Sequence, residues 1–368
     1  MVVTIVVLLI LAGISLNLVL GQNGIISRAQ DARNQTAEGQ VNTEKAINAL
    51  TDKMEDLISE NENSGNGGNS GGGSSSGSDY DPASEGVPIP SGFVYVGGTK
   101  ASGLVISDAA ADKEKYKGQT TVGTDLVGNQ FVWIPVDNIA DYKRTAYANQ
   151  SISSYSETLA DDEKTSVETN KGFYIGRYEA GDQESTNSKK LRARGASTSN
   201  TITVKAGQAP YNYVTRYEAK SLAEAFSTKQ GYTSVKSKLI SSYAWDTAIA
   251  FIQKTNSDYG SSSEEGNYKN SPTFTYTGIA DTEKNKQTKA NGTSTLIPTG
   301  QTTAVNNIYD MGGNVWEWTT EPYSNTNYPC TSRGGGYFSS FASYPAGYRN
   351  NGSDYANDSI GFRCTLYL

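Results

Sequence analysis

The residues whose types and spacing can do chemistry gather toward the C-terminal end of this 368-residue chain. The stretch NIYDMGGNVWEWT at 307–319 sets one carboxylate, Glu317, between Trp316 and Trp318. In a strand the two indoles share one face and the glutamate takes the other. Glu317, the Asn314 side chain and the carbonyls of Gly313 and Val315 form an all-oxygen set of the kind calcium prefers. The same carboxylate can instead pair with an arginine such as Arg363 or cap a loop, because a buried glutamate is usually paired, and both readings stand open. Arg333, in RGGGY at 333–337, and Arg363, in IGFR at 360–363, carry fixed forks of donors suited to buried carbonyls. With Trp316 and Trp318 they read as structural residues, and no catalytic residue is assigned. Cys330 and Cys364 either form one disulfide, which needs Cα atoms within about 7 Å, or stand as two small buried residues.

Composition removes whole classes of mechanism. The chain has no histidine, which excludes the commonest general base near neutral pH and the commonest metal ligand. Two cysteines cannot build a multi-cysteine zinc site. With 38 acidic against 31 basic residues and a net charge of -7, the chain is not built to neutralise phosphates, so no nucleic-acid partner is expected. Tyrosine, at 24 residues, is abundant beside many Ser, Thr, Asn and Gly, a mixture shared by adaptable recognition surfaces and by ordinary β-rich extracellular domains.

Positioning these residues falls to a set of short elements. VPIPSGFVYVGG at 87–98, QFVWIPVD at 130–137 and GFYIGRYEA at 172–180 are aromatic and β-branched runs bounded by Gly, Pro and Asp, which reads as strands. KSLAEAFSTK at 220–229 and SSYAWDTAIAFIQKT at 241–255 space Leu222, Ala223 and Phe226, and Trp245, Ile249 and Ile252, as helical faces. The fold class expected is α+β. Upstream, residues 2–20 are almost wholly apolar and long enough to span a hydrocarbon core of about 30 Å. Val41, Ile47, Leu50, Met54, Leu57 and Ile58 then follow helical spacing as a stalk, and the Gly/Ser/Asn tract NENSGNGGNSGGGSSSGSD at 61–79 reads as a flexible linker. The expected organisation is a transmembrane and stalk helix at 1–60, a linker at 61–87 and a globular domain at 88–368.

Two resemblances attach to these residues. VVTIVVLLILAGISLNLVLGQNGIISRAQDA resembles the N-terminal region of type IV pilin-like proteins of Gram-positive bacteria, although the basic leader and glycine cleavage site of a prepilin do not precede it in this sequence. The three C-terminal motifs, with GFYIGRYEA, NYVTRYEAKSLAEAF and YAWDTAIAF in order upstream, resemble the sulfatase-modifying-factor or formylglycine-generating-enzyme family. That resemblance implies a C-type-lectin-like domain with little regular secondary structure, and it also suggests calcium at the 313–317 loop. The family's copper-binding cysteine pair is replaced by Ser339 and Tyr344 at about the matching positions, and hydroxyls cannot rebuild a soft thiolate site. A related branch uses histidine-bound iron, which a chain without histidine cannot hold. Neither copper nor iron is expected, and the domain is expected not to be an enzyme.

From 337 to 359 the chain uses Tyr, Phe, Ser, Asn, Asp and Gly almost exclusively, resembling the hypervariable ligand-facing segment of diversity-generating-retroelement target proteins. Tyr337, Phe338, Ser339, Phe341, Tyr344, Tyr348, Asn350, Asp354 and Tyr355 are the expected ligand-binding residues. Together these features predict a membrane- or filament-anchored protein that displays an inactive lectin-like domain toward an extracellular protein or glycan, with pilin subunits as further partners. The alternatives are a minor pilin with a mainly structural domain and an enzyme of the same superfamily with a different mechanism.

Overall fold

The computed structural model describes residues 80–368 except 149, 199 and 200. The expected membrane span and stalk, and the expected linker up to residue 79, lie outside the described residues. Among the described residues no helix is long and apolar enough to cross a membrane. Residues 80–87, expected as the end of the linker, pack on the domain instead: Pro82–Glu85 form one 3-10 turn, Val87 is buried, and the Tyr80 ring lies 5.5 Å from that of Tyr95.

The described domain is mixed α and β, mostly sheet with few helices. Its strands are β1 (Val94–Gly97), β2 (Val105–Ser107), β3 (Gln130–Pro135), β4 (Gly172–Gly176), β5 (Gly181–Asp182), β6 (Ile202–Thr203), β7 (Ala209–Pro210) and β8 (Lys236–Leu239). They continue with β9 (Phe274–Thr277), β10 (Lys286–Lys289), β11 (Trp316–Pro322), β12 (Cys330–Arg333), β13 (Arg349–Gly352), β14 (Ile360–Phe362) and β15 (Cys364–Tyr367). The principal sheet runs β1-β2-β3-β4-β15-β8, with the C-terminal strand between β4 and β8. It is antiparallel throughout, with Trp133 opposite Tyr174 and Thr365 opposite both Ile175 and Lys238.

The two central strands are apolar without interruption because both faces of this sheet are covered. Phe131, Trp133, Tyr174 and Leu366 enter one hydrophobic cluster, while Val132, Ile134, Phe173 and Ile175 enter a second on the opposite face. Of the helices, α1 spans Asp161–Asn170, α2 Gln183–Asn187, α3 Arg216–Gln230 and α4 Ser242–Ile252. Helix α3 gives Ala219, Leu222, Ala223 and Phe226 to the first cluster. Helix α4 gives Ala244, Trp245, Ala248, Ile249 and Ile252 to the second. Both expected helices form with the expected faces. Thr215 and Glu218 cap α3 reciprocally, Gly231 ends it in the left-handed conformation, and Ser241 caps α4.

A second sheet, β13-β12-β11-β14, carries the C-terminal motifs. Strand β11 runs antiparallel to β12, with Glu317 opposite Arg333, and parallel to β14, with Trp318 opposite Phe362. Arg363 alone separates β14 from β15, so the chain passes from the second sheet to the first at that residue. Its guanidinium forks onto Glu317, with Nε 3.0 Å from Oε2 and Nη2 2.7 Å from Oε1, and also donates to the carbonyls of Gly176 and Tyr309. Both side chains are fully buried. Cys330 and Cys364 are free thiols rather than a disulfide, both buried in the first hydrophobic cluster.

Removing one partner of a buried ion pair leaves the other charge without compensation, at a cost of about 3–5 kcal/mol. Arg363→Met should therefore lower the unfolding free energy in urea by about that amount, and the double variant with Glu317→Leu should lose less. A loss below about 1 kcal/mol for the single variant would contradict the role of the pair.

Candidate functional site

The C-terminal loops rest on a buried polar frame. Arg333, at the end of β12, donates from Nη2 to Asp246 Oδ1 at 2.5 Å, and Arg349, opening β13, donates to the other oxygen of Asp246. Arg349 Nε also reaches Glu321 Oε2 at 2.9 Å, while Arg144 Nη1 lies 2.9 Å from Glu321 Oε1. Burial alone pushes the Glu321 carboxyl up, but the Arg349 and Arg333 charges and hydrogen bonds from Ser242 and Arg144 outweigh it and hold the group below its ordinary range. These pairs tie α4 to β11, β12 and β13. They also fix loop backbone, since Arg333 donates to the carbonyls of Tyr348 and Gly347 at 3.1 and 3.0 Å.

The loop between β12 and β13 begins with two glycines in the left-handed region, φ 92° at Gly334 and 76° at Gly335. A Cβ on Gly334 would stand 2.6 Å from the Met311 carbonyl oxygen, and one on Gly335 would stand 2.4 Å from that of Tyr344. Only glycine lets the loop lie this close to the body of the domain. Ser339 pins its next turn: Gly336 N donates to Ser339 Oγ at 3.1 Å, and Lys269 N donates to the Ser339 carbonyl at 2.9 Å. Ser339 is only 3% exposed, so among the expected ligand-binding residues it is a turn-locking residue instead.

The aromatic residues of this segment lie at the surface. Phe338 is 47% exposed, Tyr344 38% and Tyr355 39%, while Tyr337, Phe341 and Tyr348 are half-buried. Trp316, nearly buried, is the floor on which Tyr344 and Tyr348 stand, with ring centroids 5.6 and 6.1 Å away and 5.0 Å between the two tyrosines. Tyr337 and Phe338 meet edge-on at 5.5 Å, and the Phe338 ring approaches Gly336 beside Trp316. Tyr355 stands on Trp318 at 6.0 Å, and Trp318 lies two residues along β11 from Trp316. Phe341 lies apart from these rings, against Tyr268 at 6.1 Å. Asn350 is half-buried on β13, and the exposed Asp354 accepts from the Arg216 main-chain N–H at 2.6 Å. Sequence reasoning missed Tyr268, and it took Trp316 as core without its second role as the floor of a surface cluster.

The loop expected to bind calcium is arranged differently. Both Glu317 oxygens accept from Arg363. The Asn314 amide is also engaged: Nδ2 donates to Glu179 and to the Ile297 carbonyl, and Oδ1 accepts from Asn267 and from the Ile297 N–H. A calcium ion bound through Gly313, Asn314, Val315 and Glu317 would have to displace a guanidinium, so these side chains as placed do not fit it. Among the described residues no group of three or more Cys, Asp or Glu is disposed to hold a metal ion. Copper finds no fit either, because the matching positions offer the engaged Ser339 hydroxyl and the exposed Tyr344 phenol.

Burial pushes Glu317 to about 6 despite Arg363, and burial likewise takes Asp310 to about 6. Glu179 is raised well above the ordinary carboxyl range, first by burial and then by Asp310 and Glu317. Its Oε2 has no partner among the described residues.

Residues 85–367 match the Sulfatase-modifying factor enzyme 1-like domain. Among solved structures, PvdO from Pseudomonas aeruginosa is similar at 17% identity and TM-score 0.36, over 67% of this chain and 98% of that one. Treponema denticola variable protein 1 is similar at 14% identity and TM-score 0.32, over 67% and 98%. CarF is similar at 16% identity and TM-score 0.33, over 54% and 87%. No curated protein matches the chain.

The raised carboxyls set a pH dependence. In the unfolded chain they release protons near their ordinary values of about 4, whereas the native state keeps them bound to about 6 and beyond. Between these limits the native state holds more protons, so stability falls as pH rises. The melting temperature should be higher at pH 5 than at pH 7, and Glu179→Gln should flatten the slope. A melting temperature that climbs across this interval would contradict the assignment.

Proposed function

The chain belongs to the family of the sulfatase-modifying factor enzyme 1-like domain, and we propose that it uses this fold to bind a ligand at the cell surface and not to carry out the family's copper-dependent oxidation. The observation that carries the reading is the exposed aromatic cluster on Trp316 and Trp318, built from Tyr337, Phe338, Tyr344, Tyr348 and Tyr355. Tyrosine offers a large amphipathic contact with few torsions to freeze, and neighbouring Ser, Asn and Asp supply adaptable hydrogen bonds. Support also comes from the frame beneath. Backbone contacts and buried arginines hold the loop, so the ring side chains are available for contact at little cost to the fold. The loss of the thiolate pair at Ser339 and Tyr344 supports the inactive reading. The apolar residues 2–20 and the linker support display on a membrane or filament, toward an extracellular protein or glycan.

The test uses the full-length chain on intact host cells and a ligand selected with the wild-type protein from a glycan array or a displayed-protein library. Replacing Tyr344 and Tyr355 together by alanine should weaken cell-surface binding at least tenfold while shifting the melting temperature by only a few degrees, as for exposed sites costing under about 0.5 kcal/mol each. Deleting residues 2–20 should release the ligand-binding material from the cells. Unchanged binding by the double variant, or retention after the deletion, would overturn the reading.

A further inference from the structure

A cleft of about 670 Å³ opens beside the aromatic face, between the start of α3, β8, the segment 157–160 and the outer part of β11. It falls within the size range of small-molecule sites. Its charges are unevenly satisfied. Lys220 pairs with Glu224 at 3.5 Å, and Lys238 pairs with Asp162 at 2.7 Å. Glu163 accepts from the hydroxyls of Tyr142 and Ser241, and Asp354 accepts from a main-chain N–H. Glu163 and Asp354 thus lack an opposite charge among the described residues, and so do two further groups of the lining that lie on either side of Thr320, the Glu157 carboxylate and the Arg216 guanidinium.

Both groups contact Thr320, and the Arg216 guanidinium also donates to the Cys330 thiol. Thr320 donates its hydroxyl to Glu157 Oε1, and its carbonyl accepts from Arg216 Nη1 at 3.2 Å. Ser242 N donates to the second Glu157 oxygen at 2.8 Å. Held from different sides of Thr320, the two charges face one cleft without pairing. Burial raises the Glu157 carboxyl to about 7 against the opposing hydrogen bonds from Thr320 and Ser242, helped by the nearby Glu321 and Glu163. A half-buried carboxylate with no cation is an electrostatic vacancy that a cationic group would relieve. The apolar wall is supplied by Leu159, Tyr243 and the 74% exposed Tyr217.

We propose that this cleft binds a small zwitterion, a free amino acid or a dipeptide, with its ammonium on Glu157, its carboxylate on Arg216 and its side chain against Tyr217 and Tyr243. Arginine suits a carboxylate because its planar donors match the two oxygens. The site is separate from the Trp316 cluster and does not depend on that cluster binding anything.

Calorimetric titration of the full chain with phenylalanine, Gly-Phe, N-acetylphenylalanine and phenylalaninamide tests it. Saturable binding is expected for phenylalanine or Gly-Phe, and the tighter of the two identifies the source. Each capped compound lacks one charge and should bind at least tenfold more weakly. Glu157→Gln should erase the discrimination against the N-acetyl compound, and Arg216→Gln that against the amide. In Glu157→Gln the new side-chain amide can still donate to the Thr320 hydroxyl and accept from the Ser242 N–H, so this variant should keep the fold. Tyr344→Ala should leave the titration unchanged, which separates failure of this site from failure of the aromatic face. Absence of saturable binding by both uncapped probes, equal binding of the capped ones, or binding that survives both cleft substitutions would overturn the assignment.

Discussion

Three parts of the domain meet on the guanidinium of Arg363: Glu317 of β11, the end of β4 and the loop carrying Tyr309. Because this residue alone separates β14 from β15, the relative position of the two sheets depends on it. A buried guanidinium is costly, and here the cost is met by a forked carboxylate and two carbonyls that use Nε, Nη1 and Nη2. The arrangement also leaves Glu317 with no free oxygen for a cation. Structural specificity and the poor fit to calcium therefore share one cause.

The second frame, Arg333 and Arg349 on Asp246 and Glu321, does the same work under the loops. Its consequence is a separation of tasks. Loop backbone is fixed by guanidinium-to-carbonyl bonds, by glycines that approach the body of the domain and by Ser339. The outward rings contribute little to that fixation, so their identities can serve recognition. Trp316 and Trp318 connect the two levels, since each is buried in the core and carries exposed tyrosine on its outer edge.

Much of this was legible in the sequence where burial leaves a periodic trace. Strands β3 and β4 are buried on both faces and read as apolar runs, and α3 and α4 show their packed faces at helical spacing. The family resemblance placed the domain at 88–368, close to the matched 85–367. Helix α1 was not legible because its inward residues are Glu163, Ser166 and Val167, held partly through hydrogen bonds and not by an apolar stripe. Strand β8, KSKL, carries two lysines and shows too little apolar pattern. For the site, residue type announced the aromatic surface but not which members turn inward, hence Ser339. Glu317 had two open readings, and the choice between calcium and Arg363 depended on which sheet each strand joined. Glu157 and Arg216 are 59 positions apart and share no motif, so only their common contact with Thr320 reveals them.

The central claim is that a fixed polar frame carries the fold while the aromatic face above it is free to vary. Two libraries measure this directly, one randomising Tyr337, Phe338, Tyr344 and Tyr355 and the other Asp246, Glu321, Arg333 and Arg349, each sorted for folded protein by protease resistance. The account predicts that most members of the face library survive sorting and almost none of the frame library do. Equal survival of the two libraries, or collapse of the face library, would contradict it.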